Sequence, residues 1–358
     1  SVDGGTVVVP KGVWLTSSLF FKSGPHLLLE RGAVLKGSDD ISDYPVAKVH
    51  IEGVIQPYIA ALVNAYDVQG FSIRGEGVID GNGLRYWRDF WTRRRVNPAC
   101  TNLEALRPRM IYVAGGKDIL IEGVTLRNSG FWTTHLYKCD YVRMKDVTIF
   151  APHSPVAAPS SDAIDLDACD NVHIIGCHIS VNDDIIAIKG GKGPWADTDP
   201  DNGVNNNILV EKCWFGKGPG VITFGSECVG GRNVILRDSE VHGATRLLQM
   251  KMRPDTPQRA GGEYHRRGPL GILCASVDTV LRPEGPRGHP DVVRGARDYP
   301  ELPPHLLRAG HRDSREAGPV SAFRHRHRGQ QCLHRASPGS AARSEEAGLG
   351  TSERNSGS

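Results

Sequence analysis

Short segments in which apolar and polar residues alternate recur along the first 252 residues, each preceded by Asp, Asn or Gly. Six copies begin 48, 23, 30, 36 and 26 positions apart, a spacing typical of the turns of a solenoid. Each copy is too short to bury its own apolar face, so successive copies must stack. The repeat predicts an all-β fold, a right-handed parallel β-helix, over residues 1–260. The copies are 71–74, 119–122, 142–145, 172–175, 208–211 and 234–237.

Two other architectures fit the pattern less well. Alternating β/α units need an amphipathic helix of about ten residues between strands, and we identify none. An antiparallel sandwich needs tight turns of the Asn-Gly type between the copies, and these are missing. The basic run Arg93-Arg94-Arg95 beside Trp91 is expected either to lie in an exposed loop, which we favour, or to bind a polyanion such as pectin.

Alignment of the copies predicts a second strand in each turn, at 132–137, 162–167, 184–189, 220–225 and 247–252. Alternation places two apolar ladders inward. They are Ile164, Ile186, Ile222 and Leu248, then Leu166, Ile188, Phe224 and Met250. Two rows point outward, and we expect most of their side chains to be solvated. They are His135, Asp165, Ala187, Thr223 and Gln249, then Tyr137, Asp167, Lys189, Gly225 and Lys251.

Composition divides the chain into two regions. Residues 253–358 contain 17 arginines, no lysine and 12 acidic residues, whereas the whole chain carries a net charge of only +3. We expect 261–358 to be either a disordered basic tail or a stretch read in a shifted frame, and the abrupt change favours the shifted frame. Because the excess charge lies there, it indicates neither a nucleic-acid nor a membrane partner. No apolar run approaches the length of about 18 residues that a membrane-spanning helix needs. We expect the protein to be a monomer.

Three acids lie at the entries of the predicted second strands. Asp162 and Asp184 occupy the same position on adjacent turns, and Asp183 precedes Asp184 at a corner. Three carboxylates so close repel one another, so some must be protonated, paired or metal-bound. Two chemistries fit this arrangement: glycoside hydrolysis by paired acids, and a Ca²⁺ site of oxygen ligands.

Four blocks of the sequence resemble a known family. In order, they are similar to the Asn-Thr-Asp, Gly-Asp-Asp, Gly-His-Gly and Arg-Ile-Lys blocks of the polygalacturonase family, glycoside hydrolase family 28. The blocks here are Ser160-Ser161-Asp162, Asn182-Asp183-Asp184, Gly218-Pro219-Gly220 and Gln249-Met250-Lys251. The resemblance implies a pectin-lyase-like β-helix, here truncated at its start, that hydrolyses pectic glycosidic bonds with inversion. It also implies no metal or other cofactor, and an extracellular or periplasmic location.

The resemblance assigns roles residue by residue. Asp183 matches the general acid, and Asp162 and Asp184 match the pair that activates water. Lys251 matches the lysine that holds a substrate carboxylate. For the inverting reaction we expect the carboxyl groups to be about 6.5–9.5 Å apart. The candidate substrate-binding residues are Lys251, Gln249, Asp165, Trp132, His135 and Arg246.

Two departures from the family pattern affect the expected substrate. Pro219 replaces a histidine and cannot transfer a proton, and Gln249 replaces an arginine that would clamp a carboxylate. A branched pectin such as rhamnogalacturonan, or the end of a pectin fragment, therefore competes with plain polygalacturonic acid. Two alternative functions remain open: a Ca²⁺-dependent pectate lyase and a non-catalytic carbohydrate-binding protein. For Trp132 and His135, packing at the groove floor is an equally supported alternative to substrate binding.

Overall fold

The computed structural model describes residues 4–257 and the strand Leu270–Cys274. Within these residues the chain winds through three parallel sheets, each of which receives one strand per turn. The first sheet contains β1 (Gly5–Val9), β4 (Pro25–Leu29), β9 (Ser72–Gly75), β12 (Lys117–Glu122), β15 (Asp140–Lys145), β18 (Asp170–Ile175), β21 (Asn205–Glu211), β24 (Gly231–Arg237) and β27 (Leu270–Cys274).

The other two sheets complete each turn. The second sheet contains β2 (Gly12–Thr16), β5 (Ala33–Gly37), β10 (Val78–Asp80), β13 (Thr125–Arg127), β16 (Thr148–Phe150), β19 (His178–Ser180), β22 (Trp214–Gly218) and β25 (Glu240–Ala244). The third sheet contains β3 (Leu19–Phe21), β8 (Val63–Tyr66), β11 (Ile111–Ala114), β14 (Thr134–Tyr137), β17 (Ile164–Asp167), β20 (Ile186–Lys189), β23 (Ile222–Ser226) and β26 (Leu248–Met252).

The predicted parallel β-helix is confirmed. All six repeat copies lie in the first sheet, and the predicted second strands lie in the third. The inward ladders are also in register, since Ile164 pairs with Ile186, and Ile186 with Ile222. These side chains are at most 3% exposed and form part of one continuous apolar core. Stacking of equivalent positions on neighbouring turns thus supplies the burial that no single turn could provide.

The last members of the inward ladders differ from the prediction. Leu248 is 36% and Met250 is 44% exposed, although both keep the predicted register with Ile222 and Phe224. They belong to β26, the last strand of the third sheet in the described part of the chain, so no further strand of that sheet covers them.

A hairpin outside the solenoid was not predicted. Strands β6 (Val46–Ile51) and β7 (Val54–Ile59) pair in antiparallel fashion. The two residues between them, Glu52 and Gly53, have φ values of 46° and 77°. Positive φ at both positions is what a two-residue turn of type I′ requires. We call residues 46–59 the cover hairpin, because it lies over the third sheet. The 3₁₀-helix Ile41–Asp43 precedes it.

The expectation of no helix of ten residues between the strands was wrong. Residues Leu84–Val96 form the helix α1, which lies between β10 and β11. Its buried face consists of Tyr86, Trp87 and Phe90, spaced as one side of a helix. The run Arg93-Arg94-Arg95 occupies its last turn rather than a loop, where cations interact favourably with the helix dipole.

The predicted tail, residues 261–358, lies outside the described residues except for β27. That strand pairs in parallel with β24 and therefore extends the first sheet past residue 260. In the described part of the chain, no helix has the length and apolar character needed to cross a membrane.

Candidate active site

Asp162, Asp183 and Asp184, which we call the acid triplet, lie at the start of neighbouring strands of the third sheet. Backbone bonds from Thr133 to Asp162 and from Ala163 to Asp184 place the two equivalent acids on successive turns. One oxygen from each of the three carboxylates lies within 4.8 Å of the others. The nearest oxygens are thus closer than the carboxyl separation of about 6.5–9.5 Å that we expected for an inverting hydrolase.

Two lysines pair with two of the three acids. The Lys251 Nζ lies 2.5 Å from an oxygen of Asp184, whose other oxygen accepts a bond of 2.9 Å from Thr223. The Lys189 Nζ lies 3.7 Å from Asp162. The Asp183 carboxylate instead accepts a bond of 3.0 Å from the backbone N–H of Asp184. In the described part of the chain, no lysine or arginine comes within 4 Å of Asp183.

The electrostatics of the triplet favour the retention of a proton by its acids. Burial and the neighbouring Asp184 raise the pKa of Asp183, against the more distant lysines. Burial, Asp183 and Asp165 also raise the pKa of Asp162 well above its ordinary value, and Lys189 opposes them. The triplet therefore holds at least one proton near neutral pH, as a site that both donates and accepts protons requires.

Asp165 lies directly beneath the triplet and is fully buried. Burial raises the pKa of Asp165 to about 8, although Lys189 lies 3.6 Å away. Neither of its carboxylate oxygens has a hydrogen-bond partner among the described residues. Asp165 therefore lies below the groove surface, away from the position in which we expected it to bind substrate.

The outward rows are not solvated as we expected. Asn64, Tyr112, His135, Asp165 and Thr223 are each at most 1% exposed, although all point away from the solenoid core. The cover hairpin accounts for much of this burial. The His50 backbone N–H donates a bond of 3.0 Å to the Tyr112 hydroxyl, and the Lys192 N–H donates to the Gly53 carbonyl at 3.3 Å.

A second buried cluster, which we call the histidine network, lies under the cover hairpin and was not predicted as a unit. One oxygen of Asp167 lies 2.5 Å from His50 Nδ1 and 3.0 Å from His135 Nε2. The other nitrogen of His135 accepts a bond of 2.6 Å from Arg109, and that of His50 lies 3.2 Å from Asn202. All five side chains are buried. Their contacts connect the cover hairpin with β14, β17, the segment before β11 and the loop before β21.

The partners of each imidazole determine its charge. Burial lowers the pKa of His135 to about 3, and the adjacent Arg109 cation acts in the same direction. Burial also disfavours the charged form of His50, but Asp167 outweighs it and raises the pKa of His50. The two histidines hold the pKa of Asp167 below its ordinary value despite its burial. The network therefore contains a neutral His135 and an ionised Asp167.

The remaining candidates divide into buried and accessible residues. Trp132 is 4% and His135 is 0% exposed, which matches their packing alternative rather than contact with a sugar. Arg246 is exposed and lies one strand beyond Gly220 in the row that contains Asp162 and Asp184. Gln249 is half-buried, and its side-chain oxygen has no hydrogen-bond partner among the described residues. Arg246 and the 35%-exposed Lys251 side chain thus remain available to a ligand, whereas the Gln249 side-chain oxygen is buried.

The arrangement can carry out acid–base chemistry on a ligand that reaches Asp183. It contains Asp183, which has a raised pKa and faces no lysine, beside two acids that each face an ammonium group. The pKa of Asp162 is raised as well. The three acids are also close enough to bind one cation. Lys189 and Lys251 compete for the same oxygens, so they disfavour a divalent ion there.

The fold and the acid triplet together define a parallel β-helix protein with a cluster of three acids at the start of neighbouring strands of its third sheet. The family model described as glycosyl hydrolases family 28 matches residues 31–258, and the chain belongs to that family.

Curated relatives carry related names. A probable polygalacturonase of Vitis vinifera is 32% identical over 239 residues, which cover 64% of this chain and 46% of that protein. An endo-polygalacturonase of Pectobacterium parmentieri is 28% identical over 245 residues, which cover 67% of this chain and 58% of that protein. The chain thus spans about half the length of these relatives.

Solved structures support the same fold. The exopolygalacturonase from Thermotoga maritima matches with a TM-score of 0.59 and 25% identity, covering 69% of this chain and 61% of that one. The polygalacturonase from Erwinia carotovora ssp. carotovora matches with a TM-score of 0.56 and 26% identity, covering 66% of this chain and 61% of that one.

Proposed function

We propose that the protein hydrolyses glycosidic bonds in pectic polysaccharides or oligosaccharides. The observation that carries this proposal is the unequal pairing in the acid triplet. Asp162 and Asp184 each face a lysine, whereas Asp183 does not. The pKa of Asp183 is raised, as is that of Asp162. One acid without a cation beside two acids that each face a lysine is the division of roles that glycoside hydrolysis needs.

In this reaction Asp183 donates its proton to the glycosidic oxygen as the bond between that oxygen and the anomeric carbon breaks. Asp162 and Asp184 orient a water molecule, and one of them accepts its proton as the water oxygen attacks the same carbon. Attack from the face opposite the leaving group inverts the anomeric configuration. The products are two shorter sugars, and Asp183 regains a proton from solvent.

The accessible cations support an acidic sugar as substrate. Lys251 is partly exposed beside Asp184, and Arg246 is exposed in the same row as the acids. Either can face a uronate carboxylate as a point charge or a planar donor. The names of the relatives, which include polygalacturonases, point to the same substrate class.

The cover hairpin supports cleavage near a chain end. It covers the outward face of the third sheet at Tyr112 and Asp167, and its tip reaches the loop before β21, where the Lys192 N–H donates to the Gly53 carbonyl. That loop in turn accepts a bond of 2.7 Å from Tyr137 to the Asp201 carbonyl. A long polymer cannot pass through the part of the third sheet that the cover hairpin covers. We therefore infer that the substrate approaches from the side of Lys251 and ends near the triplet.

The test compares the wild type with Asp183→Asn on polygalacturonan, rhamnogalacturonan and their oligomers. The amide keeps the shape but has no proton to donate, so we expect the release of reducing sugar to fall by about 10²–10⁴-fold. Asp118→Asn, which changes an exposed acid far from the triplet, should keep full activity. Unchanged activity of Asp183→Asn contradicts the proposal.

Further readouts separate the alternatives. NMR of the first product should detect the inverted anomer. Unsaturated products that absorb in the ultraviolet, together with loss of activity in chelator, would identify a lyase instead. Binding of pectic fragments without any cleavage by the wild type would identify a carbohydrate-binding protein.

A further inference from the structure

Lys189 is the buried cation nearest to the acid triplet, and the proposed reaction assigns it no role. Its side chain is 5% exposed, at the end of β20. The Nζ lies 3.7 Å from Asp162, 3.6 Å from Asp165 and 3.6 Å from Glu227, and 3.5 Å from the Gly225 carbonyl. It also lies 4.6 Å from the centre of the Trp132 ring.

We propose that Lys189 is a positioning residue that favours the ionised form of Asp162, the form that activates water, and that Glu227 limits this effect by competing for the same ammonium group. The proposal rests on the proposed hydrolytic function of the triplet. It identifies two residues that none of the matched motif blocks contains.

The geometry separates the tasks of the two lysines. Lys251 is 35% exposed and is close enough to solvent to turn from Asp184 toward a substrate carboxylate. Lys189 is buried and has no such freedom. Within the described residues, Asp162 has no other cation within 4 Å, so Lys189 is the cation that opposes its protonation.

More carboxylate groups than ammonium groups surround the Lys189 side chain. Asp162, Asp165 and Glu227 contact it directly, and Asp184 also acts on it from further away. Burial alone would lower the pKa of Lys189, but these carboxylates raise it, so it stays charged. One ammonium group cannot neutralise three carboxylates, and burial raises the pKa of Asp165 to about 8. Asp165 is therefore protonated near neutral pH, which leaves Asp162 and Glu227 to share the cation.

Glu227 is the competitor in this arrangement. Burial opposes its ionisation, but Lys189 and the Ser226 hydroxyl hold the pKa of Glu227 below its ordinary value. Lys192, which lies near the tip of the cover hairpin, acts in the same direction. Removal of the Glu227 charge should therefore strengthen the effect of Lys189 on Asp162.

The experiment measures kcat and KM against pH for two variants that should shift the profile in opposite directions. Lys189→Met removes the cation, so the acidic limb of kcat should move up by about 1–3 pH units while KM changes less than about threefold. Glu227→Gln removes the competitor, so the acidic limb should move down. Lys145→Met, which changes a lysine paired with Glu122 on the first sheet, should leave the profile unchanged.

A merely structural role predicts a different result. Uniform loss of activity at every pH, with a lowered melting temperature and an unmoved acidic limb, would overturn the proposal. Shifts of both variants in the same direction would overturn it as well. If Lys189→Met does not fold, the direction of the Glu227→Gln shift still decides.

A second measurement does not depend on turnover. Carbon-13 NMR of the aspartate carboxyl groups, with the Asp162 signal assigned from Asp162→Asn, follows the protonation of that group directly. Its midpoint should rise in Lys189→Met and fall in Glu227→Gln, and unchanged midpoints would refute the proposal. An inactive wild type with these shifts would contradict the hydrolytic function alone.

Discussion

The substitution Asp167→Asn tests whether the histidine network stabilises the fold. Asp167 is a 1%-exposed carboxylate whose one oxygen contacts two imidazoles, at 2.5 Å from His50 and 3.0 Å from His135. Asparagine preserves the shape and removes the charge. It leaves His50, whose charged form the carboxylate supports, without an anion in a buried site.

The expected loss follows from the two contacts. A hydrogen bond to a charged group contributes about 1.5–3 kcal/mol, so two of them contribute roughly 3–6 kcal/mol. Removal of one partner from a buried ion pair costs about 3–5 kcal/mol, which agrees with this range. For a domain of this size, about 4 kcal/mol corresponds to a fall in melting temperature of roughly 8–16 °C.

The pH dependence of the difference gives a second signature. The pKa of Asp167 is depressed in the fold, so its contribution is present above about pH 4 and is lost as pH falls further. The pKa of His50 is raised, so its contribution is present below about pH 6.5 and is lost as pH rises through its folded value. The gap between variant and wild type should therefore be largest between about pH 4 and 6.5.

The assay is thermal unfolding followed by circular dichroism, with denaturant unfolding as a check. Asp89→Asn serves as the control, because Asp89 pairs with Arg93 on the exposed face of α1, where such pairs contribute less than about 0.5 kcal/mol. A melting temperature for Asp167→Asn within about 2 °C of the control would refute the reasoning, as would a difference that does not vary with pH.

Two further predictions concern Asp165 and the mode of cleavage. Because the pKa of Asp165 is raised to about 8, its protonated form stabilises the fold at low pH, and that contribution is lost as pH rises from about 4 to 8. Asp165→Asn lacks this loss, so the melting temperature of the variant relative to that of the wild type should rise from pH 4.5 to pH 8. A difference in melting temperature that stays constant over this range would contradict the assignment. For the mode of cleavage, we expect small sugars to accumulate from polygalacturonan before its viscosity falls, whereas an early fall in viscosity would indicate cleavage inside the chain.

The solenoid was predictable because its information is local and repeated. Each turn carries the same alternation, and residues such as Ile164 and Ile186 meet their equivalents one turn away. Once the register was known, the common position of Asp162 and Asp184 followed from it. The same register placed Lys189 and Lys251 in one outward row, but nothing in the row indicated that Lys189 would be enclosed.

The cover hairpin and the histidine network were not predictable from the repeat. Residues 46–59 interrupt the periodicity, and their turn is Glu52-Gly53 rather than the Asn-Gly pair we looked for. His50 meets Asp167 across 117 positions of the sequence, so no local pattern connects them. A polar residue in an outward row looks the same whether water or a distant hairpin covers it. The helix α1 had a signal that we missed, the spacing of Tyr86, Trp87 and Phe90.

The cover hairpin also constrains the order in which the molecule can be completed. It is synthesised early, but it binds partners that lie 117 and 152 positions later, at Asp167 and Asn202. Turns of the solenoid can stack on their predecessors as they emerge, whereas the hairpin must wait until most of the third sheet exists. The enclosure of the outward face of the third sheet is therefore a late event in the life of the nascent chain, and the buried charges of that face meet water until it happens.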